Sequence, residues 1–179
     1  MKKLKNSELN RIDISTFKSI KKTPLIIILD DIRSLNNIGS IFRTCDAFKI
    51  EKIYLCGITA TPPNRKITKT AIGATESVDW KYYENINDLV LELKNNGIII
   101  WAVEQTDNSK TLSEMENLEK NKKHALIFGN EINGVKQDVI NNCNNVIEIS
   151  QYGTKHSLNV SIAAGIVIWN FFKLLNKEI

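Results

Sequence analysis

Apolar residues along the chain follow two rhythms. Leu25 to Leu29, directly after Pro24, is an unbroken apolar run, and four further short runs, Lys52 to Cys56, Ile98 to Val103, Ala125 to Phe128 and Val146 to Ile149, share its branched, Ile- and Val-rich character. Nearly continuous runs of this length predict strands buried on both faces. Between them apolar positions recur every three or four residues: Ile38, Ile41, Phe42, Cys45 and Phe48, then Ile86, Leu89, Val90 and Leu93, then Val135 and Val139. That spacing lines one side of a helix, so strand and helix alternate, and the pattern predicts an α/β fold around a mostly parallel sheet. Less regular stretches fit a short helix around Ile67 to Ile72 and a strand within Glu76 to Tyr82. The longest helix is predicted over Leu158 to Leu175, where Val160, Ala163, Ala164, Val167, Ile168, Phe171 and Leu174 line about half its circumference. A helix that apolar must pack on the sheet and on something else. Gly57 to Arg65, with Pro62-Pro63, and the polar stretch Thr106 to Lys123 are expected to be loops.

Size and composition narrow the class. At 179 residues the chain suffices for one domain with its own core, and 42% hydrophobic with 25% charged residues is ordinary for a globular protein. No stretch has the roughly 18 uninterrupted apolar residues of a membrane span, and Met1 to Lys22 lacks the apolar segment of a secretory signal, so a cytoplasmic protein without a membrane partner is expected. Cys45, Cys56 and Cys143 are odd in number and widely spaced, which leaves neither a disulfide framework nor a CxxC metal or redox motif, and all three are expected as buried small hydrophobes. No metal is expected. The net charge of +4 is uneven. Residues 1–23 form a basic leader, expected to be helical and to precede a single domain over 24–179, and Arg65, Lys66 and Lys69 cluster in mid-chain. Such patches suit a polyanion, although a solvated face explains them equally by charge alone.

Three segments carry candidate chemistry, each following a predicted strand. In Asn36-Asn37-Ile38-Gly39-Ser40-Ile41-Phe42-Arg43-Thr44, Asn37 can cap a helix, Gly39 leaves its first turn open to a neighbouring backbone or a nucleotide, and Arg43 stands one turn further on the same side, set to grip a phosphate. In Phe128-Gly129-Asn130-Glu131-Ile132-Asn133-Gly134-Val135 two glycines permit a tight turn and place Glu131 where the ligand crevice of an open sheet is expected. In Ser157-Leu158-Asn159-Val160-Ser161, Ser157 is a candidate helix cap, with Asn159 two positions inside. A cap, a tight turn and an exposed arginine explain each segment singly. Their conjunction at strand-to-helix turns of one domain points to a ligand site.

The order N-x-G-x-x-x-R-T, F-G-N-E-x-x-G and S-L-N-V-S resembles the three signature motifs of the SpoU/TrmH type of the SPOUT superfamily of RNA ribose 2′-O-methyltransferases, over roughly Leu25 to Phe172. The resemblance implies an α/β-knot fold with a deep C-terminal trefoil knot from about Ala125, S-adenosylmethionine as cofactor, RNA as substrate, and a homodimer with an active site completed across the interface. It places Asn37, Arg43, Glu131, Ser157 and Asn159 on the family's catalytic and structural motif positions. It further implies a donor pocket built largely from backbone at Val103, Glu104, Gln105, Gly129, Ile149, Ser157 and Leu158. The basic leader is then expected to contact RNA, His156 to sit in a loop and His124 to begin a strand.

The family's usual proposal makes the motif arginine activate the ribose hydroxyl. A guanidinium is a poor proton acceptor, so Arg43 is better placed as a clamp that holds the adjacent phosphate and stabilises the developing alkoxide. Glu131 and Asn159 are expected to organise the site through hydrogen bonds to loop backbone and Asn37. A non-catalytic RNA-binding dimer on the same fold is the competing reading, though it has little need of Arg43, Glu131 and Asn159 together. The short leader favours tRNA over rRNA as substrate.

Overall fold

The computed structural model describes residues 1–176; the last three residues of the domain expected over 24–179 lie outside the described residues. Seven strands form one sheet: β1 (Thr23–Asp30), β2 (Ile50–Cys56), β3 (Trp80–Tyr83), β4 (Ile99–Val103), β5 (Lys110–Thr111), β6 (His124–Phe128) and β7 (Asn145–Glu148). Their order is β3-β2-β1-β6-β4-β7-β5, and every pair of neighbouring strands is parallel. The mostly parallel α/β sheet expected from the alternating pattern is thus observed.

Helices cover both faces, which is why the strands are apolar without alternation. Leu25, Ile27 and Leu29 of β1, with Leu126 and Phe128 of β6, pack against α2 (Leu35–Ala47), α3 (Arg65–Ala71), α4 (Ala74–Ser77) and α7 (Val160–Leu175). Ile26 and Ile28, with Ala125 and Ile127, face α5 (Ile86–Asn95) and α6 (Gln137–Asn142). In the leader, a 3-10 turn spans Asn6–Glu8, and α1 (Ile14–Ser19), capped by Asp13, buries Phe17. The expected loop over Thr106 to Lys123 contains β5 and a 3-10 turn at Leu112–Glu114.

Several local expectations need correction. Ser34, not Asn37, caps α2, and Asn159, not Ser157, caps α7. Cys45 and Cys56 are buried, whereas Cys143 is half-buried. Gly39 is fully packed: a Cβ there would lie 2.0 Å from Thr70 Oγ1 and 2.3 Å from the Ile67 carbonyl oxygen. The missing side chain therefore admits the backbone of α3, and no nucleotide reaches that position. His124 does begin β6, buried between the Trp101 indole nitrogen and the Glu119 carbonyl.

α7 buries Val160, Ala164, Val167, Ile168, Phe171 and Leu174 but leaves Ile162, Ile166 and Trp169 exposed at i, i+4 and i+7. Phe48, at the end of α2, extends this apolar stripe by packing 5.4 Å from Trp169 and 5.2 Å from Phe172, ring to ring. Among the described residues no helix is long and apolar enough to cross a membrane.

Candidate active site

Because the strands are parallel, the segments leaving β4, β6 and β7 emerge at the same edge of the sheet, where ligands of open α/β sheets bind. They enclose a cavity of about 830 Å³. Its lining includes Val103, Glu104 and Gln105 after β4, Gly129 and Glu131 after β6, and Ile149, Ser157, Leu158 and Asn159 after β7. All seven positions expected to build a donor pocket therefore meet in one cavity. Arg43 and Asn37 do not line it.

Backbone requirements shape the wall at 129–135. A Cβ on Gly129 would stand 2.2 to 2.3 Å from the carbonyl carbon and oxygen of Gly134 and the nitrogen of Val135, so two stretches of main chain touch there. Gly134 has φ +63°, a left-handed conformation that glycine adopts without strain. Its amide donates to the Asn130 carbonyl at 2.8 Å. Glu104 pins the same turn from across the cavity, accepting from Val135 N at 2.9 Å and from Gln105 N at 2.8 Å. Gln105 Nε2 in turn donates to the His156 carbonyl at 3.0 Å, tying the exposed 151–158 loop to β4.

The motif side chains form a chain of bonds. Glu131 accepts from Arg33 N at 3.1 Å, Ser34 N at 3.1 Å and Asn37 Nδ2 at 3.2 Å. Asn37 Oδ1 accepts from Asn159 Nδ2 at 3.2 Å, and Asn159 Oδ1 accepts from Ser161 N at 2.9 Å. The start of α2, the 129–135 turn and the start of α7 are thereby fixed to one another. Burial pushes the Glu131 carboxyl up, but the Arg33, Ser34 and Asn37 donors outweigh it and hold the group below the usual carboxylate range. An acid that ionised is an acceptor and organiser near neutral pH, and a poor proton donor.

The Arg43 side chain is exposed and forms no hydrogen bond or ion pair with any described residue. Ser157 is exposed on the cavity rim, and His156 is exposed in its loop. Among the described residues no cluster of three or more His, Cys, Asp or Glu is placed to hold a metal ion.

Two contributors escaped the motif reading. Asn130 donates to the Asp31 carbonyl at 2.7 Å and accepts from Ile132 N at 2.9 Å, so it folds the Glu131 turn against the end of β1. Asp31, at φ 54°, accepts from Lys136 Nζ at 2.7 Å and Ile58 N at 3.0 Å. Asn130 lay within the second motif, but neither residue carried a sign of its partner in the sequence.

A doubly covered parallel sheet with a cavity at its carboxyl edge, walled by the second and third of these motifs and bonded to the first through Asn37, defines the class of the SPOUT methyltransferase fold. The family model described as SpoU rRNA Methylase matches residues 24–169, and the chain belongs to that family. A curated relative, the 23S rRNA (guanosine-2′-O-)-methyltransferase RlmB of Neisseria meningitidis, is 28% identical over 151 residues, covering 84% of this chain and 59% of its own length. The chain thus spans less than two thirds of that relative. Among solved structures, the A. aeolicus TrmH/SpoU tRNA modifying enzyme superposes with a TM-score of 0.79 at 27% identity, covering 92% of this chain and 81% of its own. An AdoMet-bound rRNA methyltransferase from Sinorhizobium meliloti superposes with a TM-score of 0.78 at 23% identity, over 91% and 60% respectively, a likeness of fold.

Proposed function

We propose that this protein transfers a methyl group from S-adenosylmethionine to a ribose 2′-hydroxyl of RNA, with tRNA favoured over rRNA as substrate and the cytoplasm as its place of action. The observation that carries the reading is the linked Glu131–Asn37–Asn159 network at the mouth of a cavity walled by Val103, Glu104, Gln105, Gly129, Ile149, Ser157 and Leu158. The cavity falls within the size range of small-molecule sites, and its mixture of apolar walls with a carboxylate and an amide suits a nucleoside carrying a charged tail. In this reading Val103, Ile149 and Leu158 would hold the donor through apolar contact, Gly129 lets the main chain of 134–135 close up to form the wall, and Glu104 and Gln105 would offer polar atoms. Bound there, S-adenosylmethionine supplies a methyl carbon that its sulfonium already makes electrophilic.

The chain's own residues then have to align and activate a weak nucleophile. Arg43 holds the phosphate next to the target ribose and stabilises the oxyanion as the hydroxyl loses its proton to that phosphate or to water. Glu131 and Asn159 keep Asn37 and the two loops in register, and Ser157 meets substrate at the rim. Arg43 lies outside the cavity of its own chain, and an apolar stripe of Ile162, Ile166 and Trp169 is exposed on α7. A homodimer that covers this stripe and delivers Arg43 to the partner's cavity accounts for both. The C-terminal trefoil knot and RNA contact by the basic leader over 1–23 belong to the same reading.

Titration calorimetry with S-adenosylmethionine, followed by labelled methyl transfer onto tRNA and rRNA fractions from cells lacking the gene, tests it. Donor binding with label in tRNA is expected. An intact protein that binds RNA but no donor would instead be the non-catalytic dimer.

A further inference from the structure

We infer that the outer face of α3, bearing Arg65, Lys66 and Lys69, is a binding surface for RNA backbone phosphates that runs on from Arg43. The inference rests on the RNA-directed reading above and adds a surface to it.

Charge is segregated here beyond what the whole chain requires. Residues 32–45 and 57–75 contain Arg33, Arg43, Arg65, Lys66 and Lys69 and no Asp or Glu, although with 20 acids in 179 residues about three or four would fall in those stretches by frequency alone. All five cations are exposed. The ion pairs among the described residues use Lys2, Lys122, Lys123 and Lys136, so none of the five is neutralised within the protein. The carboxylates that do bond these stretches, Glu131 at Arg33 N, Ser34 N and Asn37 Nδ2 and Asp31 at Ile58 N, pair with none of the five cationic side chains.

The surface is also held in register with the site. Gly39 lets α3 lie against α2 at backbone contact, and Thr70 Oγ1 donates to the Asn36 carbonyl at 3.2 Å, one residue before Asn37. Ile67 and Ala71 point into the core from α3, which leaves residues 65, 66 and 69 on its outer side. Arg43 stands one turn beyond Gly39 on the side that meets α3, so the arginine emerges beside this helix. A strand of RNA gripped by Arg43 at one phosphate is therefore met by three further cations on a rigid neighbour. Phosphate contacts of this kind position a substrate without selecting its sequence.

The test compares wild type with the triple variant Arg65→Ala/Lys66→Ala/Lys69→Ala, which alters only exposed side chains. Binding of labelled bulk tRNA is measured from about 50 to 300 mM salt, because backbone contacts are read by any RNA, whichever is the substrate. The variant is expected to bind about tenfold or more weakly, with a log Kd versus log salt slope shallower by about 2 to 3. Donor affinity, melting temperature and transfer at saturating RNA should stay at wild-type levels. A second triple variant, Lys52→Ala/Lys120→Ala/Lys122→Ala, removes equal charge around the opposite edge of the sheet and should change the slope by less than about 1. If wild type binds and methylates RNA and the α3 variant keeps the same affinity and slope, the α3 surface is overturned alone. An equal loss in both triple variants overturns it as well, by showing a bulk charge effect. If wild type neither binds bulk tRNA nor methylates RNA, the functional reading fails and the surface with it.

Discussion

Placing an alanine at Gly129 should damage the cavity more deeply than placing one at Gly134, although both glycines belong to one motif. At Gly129 the new Cβ would stand 2.2 to 2.3 Å from three main-chain atoms of Gly134 and Val135. Ordinary contact begins near 3.4 Å, so the two backbone stretches must part by more than 1 Å. That separation breaks the Gly134-to-Asn130 bond and the Val135-to-Glu104 bond. At about 1 kcal/mol for the neutral bond and about 2 for the one to a carboxylate, the loss is about 3 kcal/mol, or about 6 to 12 °C in Tm for a domain this size. At Gly134 the Cβ meets only the end of the Glu104 side chain, at 2.0 Å, which can swing aside. Moving it gives up the bond from Val135 N, about 2 kcal/mol, and a left-handed alanine costs about 1 more, so Tm falls about as far as for Gly129→Ala and the two variants separate in donor affinity. Thermal unfolding and calorimetry with S-adenosylmethionine read both effects. Gly129→Ala should lower donor affinity about 100-fold or more, a loss that adding Glu104→Ala does not repair. Gly134→Ala should bind donor no worse, once combined with Glu104→Ala, than Glu104→Ala alone. A Gly129→Ala protein with wild-type Tm and donor affinity would refute the argument that main-chain contact forms this wall.

Three other substitutions probe the site. Glu131→Gln turns an amide NH2 toward the Arg33 or Ser34 N–H, so activity should fall about 10- to 100-fold while the pH profile of the residual activity stays where it was; a displaced profile would make Glu131 an acid or base. Arg43→Ala should bind donor normally and lose turnover, and mixing it with Glu131→Gln should recover about a quarter of wild-type activity if one protomer's Arg43 serves its partner's cavity. No recovery in demonstrably mixed dimers would place Arg43 in its own site. Asp30, at the end of β1, is buried, and burial with the nearby charge of Asp31 raises its carboxyl to about 6, against an opposing Lys136. Folding favours the protonated acid, so Asp30 costs nothing below its unfolded value near 4 and destabilises the fold as pH rises through about 6. Urea unfolding should find Asp30→Asn more stable than wild type by about 3 kcal/mol at pH 8, the difference vanishing near pH 4; a constant difference across that range refutes the raised value.

The fold was legible wherever one residue type had a single use. Strands covered on both faces have to be apolar throughout, and the central ones announced themselves as runs of Ile, Leu and Val. β3, at one edge of the sheet, exposes much of Trp80 to Tyr83 and was legible only loosely, within Glu76 to Tyr82, while β5 is the pair Lys110–Thr111 and carries no apolar run to find. Helix starts were blurred by surplus. Ser34, Asn36 and Asn37 can all cap a helix, as can Ser157 and Asn159, and only tertiary contact decides between them. Asn37 is drawn away by Glu131, 94 residues distant, and by Asn159, 122 residues distant. Separations of that length leave no local pattern. The second and third motifs marked two walls of the cavity, while the close approach of α3 to Gly39 and the grip of Glu104 on the 129–135 turn emerged only with the packing.

The claim at the centre of this account is the chemical destination of the methyl group. RNA from cells lacking the gene, incubated with the purified protein and methyl-labelled S-adenosylmethionine, can be digested to nucleosides and analysed by mass spectrometry. The account predicts label in a 2′-O-methyl nucleoside, absent when Arg43→Ala replaces the wild-type protein. Label on a base, or no transfer by a folded protein that binds the donor, would contradict it.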